Sequence, residues 1–316
     1  MSRGVSDFGH PVVSVIIATY NSSKNSFLEE CLSSVRGQKC DFPIEIIVVD
    51  GGSTDDSIQI AQKYGARIIH NPNQTELGFH GGKNLGLSES QGTFVSMVDA
   101  DNILVNSNYF TELVKPLLAD PSVAMAFPMP FVPAVKRGNS AVGRYFCLRE
   151  RDYWTGLTLQ GGDPDKWKLI SSTIAAVSNA ALIRRRALES VGGWDYDTEV
   201  AVRITSSEHG NVAFVPSAVR YHVEVASLTD VWRKLGRRLD NYILHTSQKP
   251  TVQRRYKAYK SKPIDFVMDE LYSPLTIGKS LKDSTYLIAL PVFFIYVSLI
   301  VTRIPFLASG NEKLSH

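Results

Sequence analysis

Cysteine is scarce in this chain of 316 residues. The three present, Cys31, Cys40 and Cys147, show no metal-ligand spacing. An odd number this small argues against a disulfide framework and favours a reducing compartment. Net charge is nearly absent too: a total of +3 identifies no partner. The first eleven residues, MSRGVSDFGHP, lack the apolar core of a secretory signal and read as a tail. No internal repeat or low-complexity tract is found, and aromatic stacking segments are not evident, so nucleic acid is not an expected partner. Apolar residues are plentiful. At 44% hydrophobic and 21% charged, the composition is that of a globular chain long enough to bury a substantial core.

Charge and hydrophobicity are unevenly placed. Residues 233–262 hold ten Lys or Arg and a single acid, Asp240. Such a block suits anionic lipid heads, sugar diphosphates or nucleic acid, the last disfavoured by the missing stacking segments. Residues 286–302, YLIALPVFFIYVSLIVT, form an unbroken uncharged run. As a helix it would reach about 25 Å, a little short of a hydrocarbon core of about 30 Å. Lys279 and Lys282 precede it, Arg303 follows, and Tyr286 and Tyr296 stand near its ends. These flanks favour a membrane segment, spanning or re-entrant, with the main body on the cytoplasmic face.

The first half alternates strand and helix patterns. Residues 12–18 and 44–49 are continuous apolar, β-branched runs, as expected of strands covered on both faces. Helical spacing follows the first run at Leu28, Cys31, Leu32 and Val35. Strands are expected at 66–70, 93–98, 123–127 and 212–215, and helices at 82–90, 110–118, 185–191 and 199–207. Residues 128–162, rich in Pro and Gly, read as irregular. Repeated βα units imply an α/β fold with a mostly parallel sheet and helices on both faces. The expected divisions are a tail at 1–11, a catalytic domain at 12–227 and a basic membrane-proximal helical region at 228–285. A hydrophobic segment at 286–308 and a tail at 309–316 complete the chain.

In open sheets of this kind ligands bind outside the carboxyl ends of the strands. The polar clusters fall there: Thr19, Tyr20 and Asn21 after the first strand, Asp50 after the second, Asp99 and Asp101 after the fourth. Two carboxylates two residues apart offer oxygen ligands suited to Mg²⁺ or Mn²⁺. Such an ion would neutralise charge on a departing diphosphate. Asp50 can accept from a base N–H or a ribose hydroxyl, or simply shape its turn. Lys83, in GFHGGKN, reads as a lysine at a glycine-rich helix start, where backbone N–H groups bind phosphate.

Together the segments VSVIIATYN, IIVVDGGSTDDS, GGKNLGL, GTFVSMVDAD, SNAALIRRRALESVGGWD and DTEVAVRI resemble glycosyltransferase family 2, enzymes of the GT-A fold. The resemblance covers roughly residues 12–222. It implies an inverting transfer from a UDP- or GDP-sugar, with a slight lean towards GDP-mannose. Thr19, Tyr20 and Asp50 would hold the nucleoside, and Lys83 would sit near it or its phosphates. Asp101 would be the principal metal ligand, with Asp99 supporting it or contacting ribose.

The resemblance also implies an acidic pair after GGW, one member of which takes the acceptor's proton. Asp197 falls on that base position, Tyr196 replaces the usual first acid, and Glu199 is the reserve. His222 matches a histidine near the metal or diphosphate in some relatives; a structural histidine at a strand end is the alternative. Arg237 and Arg238 resemble part of the Q-x-x-R-W region of processive members, but the Gln and Trp are absent, so polymer synthesis is not supported.

The basic block and apolar run point to a lipid-linked acceptor, either a glycan hydroxyl or a polyprenyl phosphate. Two other classes compete. A sugar nucleotidyltransferase should carry a Gly- and Arg-rich loop after the first strand, where this chain has ATYNSSKN. A non-catalytic membrane adaptor would keep the fold without transferring sugar.

Overall fold

A strand such as VSVIIAT, with no polar face, needs cover on both sides, and it has it: β1 (Val13–Thr19) is buried along its whole length. The computed structural model describes residues 12–71, 74–131, 166–170, 179–194, 197–206 and 210–222, with single residues at 229, 295, 298 and 302. β2 (Ile44–Asp50) and β3 (Arg67–His70) extend the sheet on one side of β1, and β4 (Phe94–Met97) pairs on the other, all in parallel. The helix α1 (Phe27–Arg36) buries Leu28, Cys31, Leu32 and Val35, the residues its spacing singled out. They join Val13, Val15, Ile17 and Val48 in one apolar cluster. α2 (Ser57–Lys63) links β2 to β3.

The opposite face carries α3 (Gln74–Glu89). Gly82 and Gly86, one helical turn apart, let it lie close to the sheet. A Cβ on Gly86 would fall 2.4 Å from Ile16 Cγ2 and 3.0 Å from Val49 Cγ2; one on Gly82 would meet Ala18 Cβ at 3.4 Å. Gly82 and Gly86 of GGKNLGL therefore serve packing. This corrects the expectation of a helix starting at Gly82. The helix begins at Gln74, so Gly81 and Gly82 stand inside it, where backbone N–H groups are taken up by intrahelical bonds and cannot cradle a phosphate.

Beyond β4 the sheet changes character. Among the described residues, β5 (Asn102–Leu104), β6 (Val123–Phe131), β7 (Lys168–Ile170), β8 (Leu182–Arg184) and β9 (Asn211–His222) give a nine-stranded sheet in the order β3-β2-β1-β4-β8-β6-β9-β5, with β7 also on β9. β8 is antiparallel to β4 and β6, and β9 is antiparallel to β5 and β7. The sheet is mixed, which corrects the expectation of a mostly parallel one. Parallel neighbours need a crossover, here supplied by helices between β1 and β4; past β4 the neighbours β4 and β8, like β5 and β9, run antiparallel. α4 (Tyr109–Ala119), α5 (Arg185–Ser190) and α6 (Asp197–Ser206) complete the described elements.

The chain divides into two compact units, Met1–Pro130 with Gly161–His222, and Phe131–Gln160 with Val223–His316. The elements above belong to the first, apart from Phe131 at the end of β6. The basic block at 233–262 and most of the run at 286–308 lie outside the described residues. Within that run Ile295 and Ser298 are helical and exposed, and the Thr302 N–H donates to the Ser298 carbonyl at 3.0 Å. Among the described residues no helix is long and apolar enough to cross a membrane.

Candidate active site at the carboxyl edge of the sheet

Because β1, β2 and β4 are adjacent and parallel, their carboxyl ends share one edge. Thr19 is in register with Asp50, and Ile16 with Met97, which places Asp99 just past the end of the same ladder. Asp50 is fully buried and accepts from the N–H groups of Gly52 at 2.9 Å and Ser53 at 3.0 Å. Its visible work is to shape the turn after β2; His70 Nδ1 stands 3.9 Å away.

That turn is knitted to the one after β1. The Asn21 N–H donates to Ser53 Oγ at 2.9 Å, and the Thr54 N–H donates to Asn21 Oδ1 at 2.9 Å. Asn21 takes a left-handed φ of 47° to do this. Asp55 accepts from the Ser23 hydroxyl at 2.7 Å and the Ser57 hydroxyl at 2.5 Å. Burial works against its ionisation, yet the Ser57 and Ser23 hydrogen bonds outweigh it and bring its pKa down to about 2. Tyr20 remains exposed, while Thr19 is buried with an Oγ1 that has no partner among the described residues.

The acidic pair after β4 is split in two. Asp99 is engaged on both oxygens: Lys83 Nζ lies 2.7 Å from Oδ1, and the Asn179 side-chain amide donates to Oδ2. Asn179 Oδ1 in turn accepts the Asp99 N–H at 3.2 Å. Burial opposes ionisation of Asp99. The Lys83 ammonium, with His222 and Arg220 behind it, prevails and holds the carboxyl below its usual range. Lys83 is itself buried, with its ammonium 4.7 Å from the centre of the Trp194 ring.

Asp101 is directed elsewhere. β5 starts one residue later and pairs Asn102 with His222, which brings His222 Nε2 to 3.4 Å from Asp101 Oδ2. The buried Arg220 donates to Asn102 Oδ1 and steadies this pairing. A carboxylate oxygen and an imidazole nitrogen at this separation, both partly open to solvent, fit one divalent cation. Among the described residues no group of three or more His, Cys, Asp or Glu is placed to hold a metal ion.

Asp197 and Glu199 stand in the first turn of α6, which starts three residues after Trp194. Tyr196, Arg237 and Arg238 lie outside the described residues. Asn179, Asn84 and Arg220 had no role in the sequence reading. Their partners are distant in the chain, and a lone amide or guanidinium in an apolar stretch announces nothing. The only available signal was a polar side chain where the helical or strand pattern asks for a buried one.

Comparison with known proteins bears on the family and the fold. Over 169 residues the chain is 30% identical to glycosyltransferase GlyG of Streptococcus pneumoniae, covering 51% of this chain and 53% of that protein. Over 110 residues it is 37% identical to the GalNAc(5)-diNAcBac-PP-undecaprenol beta-1,3-glucosyltransferase of Campylobacter jejuni, covering 33% and 34%. The matched part thus spans about half of these relatives' length or less. Among solved structures, the mannosyltransferase PcManGT of Pyrobaculum calidifontis, in complex with GDP-Man and Mn²⁺, shares the fold with a TM-score of 0.57 at 17% identity, over 94% of this chain and 88% of that one. The family model described as Glycosyl transferase family 2 matches residues 14–192, more than half of the sequence. The chain therefore belongs to glycosyltransferase family 2.

Proposed function

We propose that this glycosyltransferase moves a sugar, with inversion, from a nucleoside-diphosphate sugar to a lipid-linked acceptor at the cytoplasmic face of a membrane, with Mn²⁺ or Mg²⁺ bound. The observation that carries this reading is the single sheet edge where Asp101 meets His222 beside a neutralised Asp99. Asp101 and His222 would hold the cation, which when bound supplies positive charge against the diphosphate. The joined turns at Thr19, Tyr20, Asn21 and Asp50 would receive the nucleoside. Asp99, with Lys83 already balancing its charge, offers its remaining lone pairs to ribose hydroxyls.

In the transfer, an acceptor oxygen bonds to the anomeric carbon as the bond to the diphosphate breaks. Asp197, or Glu199 in its place, would take the proton of an acceptor hydroxyl. A relative named for an undecaprenyl-diphosphate acceptor supports a lipid-linked glycan. The basic block and apolar run support membrane attachment. Neither nucleotidyl transfer nor an adaptor role has an observation in its favour.

Thermal shift with GDP-mannose and a panel of UDP-sugars, with and without Mn²⁺, tests the donor site. A true donor at a hundred times its Kd should stabilise by about 2.7 kcal/mol. Asp101→Asn should remove the Mn²⁺-dependent part of that shift. Failure of every nucleotide sugar to stabilise the full chain would overturn the proposal. The acceptors separate by chemistry: a phosphate oxygen is already ionised, so Asp197→Asn should spare transfer to polyprenyl phosphate and slow transfer to a glycan hydroxyl by about 10²- to 10⁴-fold.

A further inference from the structure

Two consecutive residues of α3 hold two different parts of the site. Lys83 reaches Asp99, on the donor side. Asn84 reaches the turn that precedes α6: its Oδ1 accepts the Trp194 N–H at 2.7 Å, and its Nδ2 donates to the Trp194 carbonyl at 2.9 Å. From the other side Arg203 donates to the carbonyls of Val191 at 2.7 Å and Gly193 at 3.0 Å. The turn between them has left-handed glycines, Gly192 at φ 85° and Gly193 at φ 83°. A Cβ on Gly193 would fall 2.6 Å from Asn84 Oδ1, so the clamp closes over bare backbone. Four hydrogen bonds from two side chains thus hold residues 191–194, with Asn84 tying them to α3 and Arg203 tying them to α6.

We propose that Asn84, with Arg203, is a positioning residue for acceptor activation: the two side chains fasten the Gly192–Gly193–Trp194 turn to α3 and to α6, the helix whose first turn carries Asp197 and Glu199. The inference rests on the assignment of the acceptor base to Asp197. Among the described residues the hydrogen bonds of the Asn84 side chain go to the Trp194 backbone, so it acts through that turn. Misplacing a base by about 1 Å is enough to slow a transfer on the order of 10- to 100-fold.

The test is a double-mutant cycle on transfer to a hydroxyl acceptor, using wild type, Asn84→Ala, Asp197→Asn and the double variant. Asn84→Ala should lower kcat about 10- to 100-fold with the Kd for the nucleotide sugar unchanged. The double variant should be no slower than Asp197→Asn alone, because the base that Asn84 positions is already gone. Equal loss in both backgrounds, or a weakened donor Kd, overturns the inference and leaves the clamp a purely structural device. Wild-type turnover in Asp197→Asn overturns the base assignment instead, and a Glu199→Gln background then repeats the cycle; full turnover there too overturns both. Should Asn84→Ala not fold, Asn84→Asp replaces it: a carboxylate still accepts the Trp194 N–H but opposes the Trp194 carbonyl.

Discussion

Asp55 shows how one side chain can serve as a joint. From the loop after β2 it binds Ser23 in the loop after β1 and Ser57 at the start of α2, and those bonds hold its pKa at about 2. An unfolded aspartate titrates near ~3.9. The folded value is the lower one, so the stabilisation is whole above about pH 4 and fades as pH falls towards 2. Melting temperatures from pH 6 to pH 3 should therefore fall more steeply for wild type than for Asp55→Asn, which lacks the titrating group. Parallel curves would show that the joint contributes nothing. At this scale the sequence revealed the acids but not their partners. Asp99 and Asp101 look equivalent in DAD, yet Lys83 and Asn179 claim one and His222 the other.

Elements were legible where their period was long enough to read. β1 and β2 are seven-residue apolar strands, and the amphipathic face of α1 repeats at helical spacing. β5, β7 and β8 have three residues each, too few to show a period, and their antiparallel pairing turned an expected parallel sheet into a mixed one. α3 starts eight residues before the expected Gly82, because contact with the sheet overrides the poor helix propensity of its glycines. That contact is testable. Gly86→Ala drives a methyl to 2.4 Å from a buried isoleucine methyl and should destabilise by about 1–3 kcal/mol, despite alanine's better helix propensity. A neutral or raised midpoint in urea unfolding would show that α3 has room to move. The adjacent Arg184 and Arg185 anchor other elements: Arg184 donates to the Val123 carbonyl at 2.7 Å, and Arg185 donates to Leu87 and Gly92 carbonyls at 3.0 and 2.7 Å around the end of α3.

For the whole molecule, the proposed membrane attachment makes a claim about salt. Ten basic residues between 233 and 262 would each contribute about 1 kcal/mol near an anionic surface, screened over a Debye length. The full chain should float with vesicles containing anionic lipid at low salt. If the apolar run at 286–302 inserts, it should remain bound at high salt; if only the basic block binds, it should be released. No flotation under either condition would remove the membrane from the proposal and leave the donor site intact.

Local pattern was enough to assign the buried strands, the carboxylates at their ends and the family they announce, because strand burial and turn chemistry are written within a few neighbouring residues. Pairing across long separations was decided by tertiary contact. His222 comes to Asp101 through the β5–β9 register, and Asn84 comes to Trp194 through the close seat of α3 on β1 and β2. A side chain's partner depends on where the backbone of another segment passes, and no periodicity within its own segment encodes that.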